Sequence, residues 1–321
     1  MAQAVTVYRW DDPGAPQITV GKPAEYLDVI KKCLTTGYGS KQPLGWTVED
    51  ESLPEETPRL AIKNNVLDGG SGGVMMFSAS NNNAMTAIRC QCALDYISKD
   101  EQQRLGGYFV IGAGSSGTNT ANKWIVIASA TAFYFIALPE DALTRNYFGT
   151  YSHILFFAGD IKSFYGDDPA RFVTLFGRVN YGSVVWNGSL NYIIGDSFSG
   201  QVGYVYSLDS SLSKANSFLS SYFGNHSVNQ SSIQSSTPEI RALCPILLCT
   251  GDYQLAGAGT HGNSETLPFA RGEVPGLFVS QENGYRSANM PFIKNINGID
   301  FFSVPRANSG GTNAWISLGD W

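Results

Sequence analysis

Residues 124–138 read WIVIASATAFYFIAL, the longest apolar stretch in a chain of 321 residues. A helix that crosses a membrane needs about 20 apolar residues. This run is shorter and is broken by Ser129 and Thr131, so no membrane span is expected from it. Its side chains are mostly β-branched or aromatic, the types that fit a pleated strand. The stretch therefore predicts a hairpin, with KWIVIA at 123–128 pairing with FYFIAL at 133–138.

Working outward, the same residue types recur in short runs. Strands are expected at 4–10, 59–63, 73–79, 86–94, 108–112, 153–161 and 172–179. Two Asn-Gly pairs, Asn187-Gly188 and Asn297-Gly298, each lie between apolar runs and mark further hairpins. The segment PAEYLDVIKKCL at 23–34 differs, because Leu27, Ile30 and Leu34 repeat at helical spacing. Pro23 suits a first helical position, and Glu25 and the Lys31–Lys32 pair match the helix dipole. Gly37 falls where a helix stops in the left-handed conformation. The expected fold is mainly β, a β-rich α+β protein of antiparallel sandwich or barrel-like units, with one short N-terminal helix near 23–34.

Two units are expected, 1–182 and 183–321, the second containing a serine-rich excursion at 207–236. Twelve of those thirty residues are serine, a composition typical of surface segments and linkers. No short-period repeat is present, which excludes a solenoid.

Composition narrows the function. Charged residues make up 15% of the chain against a usual quarter or so, and Gly, Ser, Asn, Thr and aromatics take their place. Neutral polar surfaces suit proteins that pack into assemblies, since a hydroxyl or amide costs less to bury than a charge. Net charge is −6 and no Lys/Arg cluster occurs, so nucleic acid is not an expected partner. The opening MAQAVTVYRW lacks a basic segment followed by an apolar run, so no secretory leader is expected and the chain should stay in a cytosol. Five cysteines are an odd number, which argues against a closed disulfide framework. Cys90 and Cys92 sit two apart in a strand, with Cα atoms roughly 6.5–7 Å from each other, too strained to bridge. Cys244 and Cys249 lack zinc spacing, and neither a metal nor a cofactor is expected.

Three motifs could carry chemistry. IGAGSSG at 111–117 has the spacing of a dinucleotide-binding loop, but it runs into another strand where a helix is required. GDSFSG at 195–200 resembles the nucleophile segment of trypsin-like proteases. Of His153, His226 and His261, only the first lies upstream, and it lacks that family's local sequence. Asp160, Asp167 and Asp168 could form a carboxylate pair for glycoside cleavage, although Asp-Asp-Pro is also a common turn opening. The loop CLTTGYGSKQPLGWT at 33–47 reads as scaffold. There Gly37, Gly39 and Gly45 turn the chain, Tyr38 and Trp46 anchor it to the core, and Lys41 is the lone charge.

That loop resembles one signature of a family of uncharacterised structural proteins of tailed bacteriophages and prophages. VTVYRWDDPGAPQI at 5–18 and AFYFIAL leading into FGTYSHILFFAGDIKSFYGDDP at 132–169 are similar to two further segments of that family. The resemblance covers roughly the first 180 residues. It is weaker beyond, apart from PGLFV at 275–279 and a terminal tryptophan. It implies a non-enzymatic virion component assembled in the host cytoplasm, with other virion proteins and copies of itself as partners. A tail-associated baseplate, tail-tip or fibre-anchoring/adhesin role is the expectation, and host-surface glycan is a further candidate partner. The alternatives are a capsid decoration or head-fibre protein, and a glycan-binding or glycan-cleaving depolymerase.

Overall fold

A computed structural model describes residues 2–53, 55–112, 120–140, 143, 153–177, 190, 203–209, 213–221, 243–250, 270–280, 290–304 and 313–321. The chain enters as strand β1 (Thr6–Arg9) and then forms helix α1 (Pro23–Lys31), which continues as a wider π-helical turn to Thr36. Glu25 fixes the helix start, its carboxylate accepting the backbone N–H groups of Gly21 and Lys22 at 2.8 and 3.0 Å. An antiparallel meander follows: β2 (Thr47–Ser52), β3 (Arg59–Lys63), β4 (Val74–Ala79), β5 (Ile88–Ser98) and β6 (Glu101–Ile111). Next come β7 (Lys123–Ala128), β8 (Ala132–Leu138), β9 (Ile154–Asp160), the short β10 (Lys162–Ser163) and β11 (Phe172–Leu175). The remaining strands are β12 (Gly203–Tyr206), β13 (Lys214–Ser221), β14 (Leu243–Thr250), β15 (Ala270–Ser280), β16 (Ile293–Ile296), β17 (Ile299–Ser303) and β18 (Asn313–Ser317).

The 124–138 stretch is a hairpin, with Ile125 opposite Ile136 and Ile127 opposite Tyr134. It forms the centre of a middle sheet ordered β1-β7-β8-β9-β11. Every residue of β8 and β9 is buried, because both faces of this sheet are covered. On one face Trp124, Val126, Phe133, Phe135 and Phe156 pack against α1 and the β2–β6 sheet. On the other, Ile125, Ile127, Tyr134, Ile136 and Phe157 pack against a third sheet, β12-β13-β14-β15-β18-β17-β16, to which β10 adds at β15. The period-2 alternation inside each strand thus feeds two cores, which is why it reads in the sequence as an unbroken apolar run. The protein is mainly β, with antiparallel sheets and one short helix.

Several expectations change in detail. The expected boundary near 182 lies outside the described residues. Within the serine-rich segment, residues 214–221 are not an excursion: they form β13, paired to β12 on one side and β14 on the other. Ser217, Leu219 and Ser221 face inward at strand period, and small hydroxyls fill space beside larger apolar neighbours. Asn297-Gly298 is the turn between β16 and β17, with φ of 52° and 87° as a type I′ turn requires. Asn187-Gly188 and the motifs centred on 113–117 and 195–200 lie outside the described residues. Gly37 ends the helix at a positive φ of 75°, as expected of a glycine there, but its ψ of 174° lies outside the left-handed helical well.

Candidate functional site

The 33–47 loop is an anchor between α1 and the middle sheet. Tyr38 and Trp46 are buried, and each spends its polar atom internally. The Tyr38 hydroxyl donates to Asp12 Oδ2 at 2.8 Å, and the Trp46 Nε1–H donates to the Ser129 carbonyl at 3.1 Å, at the hairpin turn. Burial, and then that hydrogen bond to a carboxylate, push the Tyr38 hydroxyl pKa up, so it is a permanent donor here. Lys41 Nζ donates to the Val7 carbonyl at 2.8 Å and lies 3.8 Å from Asp12 Oδ2. The Trp46 ring meets Phe133 edge-on, with centroids 5.4 Å apart. Gly37 and Gly39 are required by close approach. A Cβ on Gly37 would sit 2.5 Å from the Lys41 carbonyl oxygen, and one on Gly39 (φ 53°) would overlap the Pro13 carbonyl oxygen. Gly45 abuts the Asn65 side-chain amide. The polar atoms of Tyr38, Lys41 and Trp46 are therefore spent on other parts of the fold.

The three aspartates do not form one site. Asp167 is exposed, while Asp160 and Asp168 are buried and each is met by its own arginine. Asp160 accepts from the Ser71 N–H at 2.8 Å, the Ser71 hydroxyl at 2.5 Å and Arg171 Nε at 3.0 Å, tying the middle sheet to the loop before β4. Burial raises its pKa in spite of these donors. Asp168 is held differently. Arg271, fully buried on β15, makes a two-pronged pair with it at 2.6 and 2.5 Å, and the Ser163 hydroxyl adds a bond at 2.8 Å. Burial alone would raise the Asp168 pKa, but Arg271 and Ser163 outweigh it and hold the group below the usual carboxylate range. Arg271 also donates to the Tyr206 carbonyl at 2.7 Å, so one guanidinium clamps the 163–168 turn to the third sheet. Both carboxylates are committed to donors from other parts of the fold, an arrangement that serves cohesion between layers better than proton transfer.

The chain matches no family model and no curated protein.

All five cysteines are free thiols and buried. Burial pushes Cys33 and Cys90 well up and brings Cys249 to about 11, which keeps these sulfurs in the unreactive thiol form. Among the described residues no three His, Cys, Asp or Glu side chains converge as metal ligands. No described helix is long and apolar enough to cross a membrane.

Sequence reasoning missed one feature, a groove of about 300 Å³ on the outer face of the β2–β6 sheet. β5 and β6 run past the last partner on β4, where Val74 opposes Ala93, and register shifts at Gln91/Ala93 and Tyr96/Ser98 bend the hairpin. Its far half lines the groove with Tyr96, Lys99, Gln102 and Leu105, and the sheet supplies Asp50, Arg59, Met76 and Gln91. The hairpin therefore arches over the sheet, with Ala61 buried at the floor of the groove. The only trace of this in the sequence is the alternation of Arg89, Gln91 and Asp95 with apolar partners, which names an outer face without showing that it is concave.

Proposed function

We propose that this chain is a non-enzymatic structural component of a tailed-phage particle. Its place is at the tail, as a baseplate, tail-tip or fibre-anchoring protein or an adhesin domain carried there. The supporting observation is how its chemistry-bearing residues are used. Tyr38, Lys41, Trp46, Asp160 and Asp168 each satisfy a backbone group or a charge from another part of the fold. Three stacked sheets locked in this way make a stiff block, as repeated packing in an assembly needs. Exposed Ile293 and Ile299 on the outermost hairpin of the third sheet provide apolar contact at a sheet edge for a neighbouring protein or a second copy. Five buried free thiols fit assembly in a reducing host cytoplasm. The resemblance of the 5–18, 33–47 and 132–169 segments to phage particle proteins supports a place in the particle.

Antibody labelling of intact particles under the electron microscope tests this reading. Label confined to the tail end is expected. Label spread over the head surface would replace it with the capsid decoration or head-fibre role, and absence of label together with absence from the particle proteins would end both. Clearing of host capsule by the purified, folded chain would move it to the depolymerase class.

A further inference from the structure

We infer that the groove under the β5–β6 hairpin is a binding site for a short saccharide bearing a carboxylate. Its size, about 300 Å³, lies at the lower end of the roughly 300–1,000 Å³ range of small-ligand sites. The lining combines what a sugar requires. The Tyr96 ring offers an apolar face for ring C–H groups, while Gln91, Gln102 and Ser78 offer donors and acceptors for hydroxyls.

Charge selects the acidic sugar. The groove lining holds three cations, Arg59, Arg89 and Lys99, and one carboxylate, Asp50, in a chain whose net charge is −6. Arg59 is paired with Asp50 at 3.0 Å, and Lys99 with its exposed neighbour Asp100 at 2.5 Å. Arg89 is placed differently. Its guanidinium lies 4.4 Å from the Tyr108 ring centre and donates to Gln91 Oε1 at 3.0 Å. Both partners hold it in position while leaving its charge unneutralised, and a fixed planar guanidinium is the natural fork for a carboxylate. Gln91 is held in turn, donating to the Gly106 carbonyl at 2.8 Å. The groove is thus organised before any ligand arrives, which lowers the entropy lost on binding.

A polyanion such as single-stranded nucleic acid fits less well. It needs a continuous positive track, whereas Asp50 lines the groove and Glu49 and Asp100 lie close enough to act on Tyr96. The inference does not depend on where the chain sits in a particle, because binding is read on the purified protein.

The test is calorimetry with the full chain and four probes: a galacturonic-acid trisaccharide, a sulfated disaccharide from heparin, neutral maltotriose and oligo-dT. The trisaccharide should bind, and more weakly as salt is raised. Arg89→Ala should weaken it at least about tenfold, as expected for the loss of a charge-assisted contact. Tyr96→Ala should weaken it too, and Tyr96→Phe should restore it. Arg89 is exposed, so its variant keeps the fold, and an unchanged circular dichroism spectrum confirms this. Preference for the sulfated disaccharide would keep the anion site and overturn the carboxylate assignment. Equal binding of maltotriose, tighter binding of oligo-dT, no binding of any probe, or indifference to Arg89→Ala would each overturn the inference.

Discussion

Arg271→Met is the sharpest perturbation of this fold. Arg271 is fully buried and gives two bonds to Asp168 and one to the Tyr206 carbonyl, joining residues 103 and 65 positions away. Removing one partner of a buried pair costs about 3–5 kcal/mol, since the other charge is left without compensation. The Tyr206 carbonyl loses its donor for about 1 kcal/mol more. The expected loss, about 4–6 kcal/mol, is a large share of a stability of about 5–15 kcal/mol. Asp168→Asn should cost a comparable amount, because it leaves the guanidinium buried. The double variant should be milder than the sum by at least about 2 kcal/mol.

Urea unfolding followed by tryptophan fluorescence at pH 7 measures all four corners of this cycle. The pH dependence adds a second signature. In the parent, Asp168 is depressed, so its contribution is complete above the ordinary carboxylate value near 4 and is lost as pH falls through the lower folded value. Without Arg271 only the Ser163 hydroxyl and the Ala170 N–H oppose burial, so the Asp168 pKa moves up, and protonation relieves the buried charge. The gap between parent and variant should therefore narrow as pH falls from 7 towards 4. A cost under about 1 kcal/mol at pH 7, or a gap that widens in acid, would refute the clamp.

Three further outcomes are expected. Asp160→Asn should cost clearly less than Asp168→Asn in the same urea assay. Burial already disfavours its anion, and Arg171, partly exposed, can turn to water. Gly39→Ala should cost about 2–4 kcal/mol by the same measurement, from the positive φ together with overlap at the Pro13 carbonyl. A disulfide-exchange reagent at pH 8 should modify none of the five thiols of the folded protein within minutes and all five in denaturant; fast reaction of any one would show that its burial is wrong.

Local signals carried the elements that the sequence made legible. β-Branched and aromatic runs marked β7, β8 and β9, helical spacing marked α1, and Asn297-Gly298 marked the β16–β17 turn. Strands whose character comes from partners were invisible. β2 reads TVEDES and β13 reads KANSFLSS, and each becomes a strand only because a neighbour pairs with it. The stacking of two sheets on one doubly buried sheet was also hidden, since a run buried on both faces looks like any apolar run. Of the candidate site residues, the sequence could show that Tyr38, Trp46, Asp160 and Asp168 were unusual, but not their partners. Asp168 meets Arg271 across 103 positions, and the groove gathers Asp50, Arg59 and Arg89 through the pairing of β2 to β5, with Tyr96 from the hairpin that two register shifts bend.

Counting this chain in washed particles by quantitative mass spectrometry tests the central claim most directly. A tail component should be recovered at roughly three to a dozen copies per particle, following the symmetry of the tail. Hundreds of copies would place it on the head instead, and its absence from particles that are otherwise complete would contradict a structural role altogether.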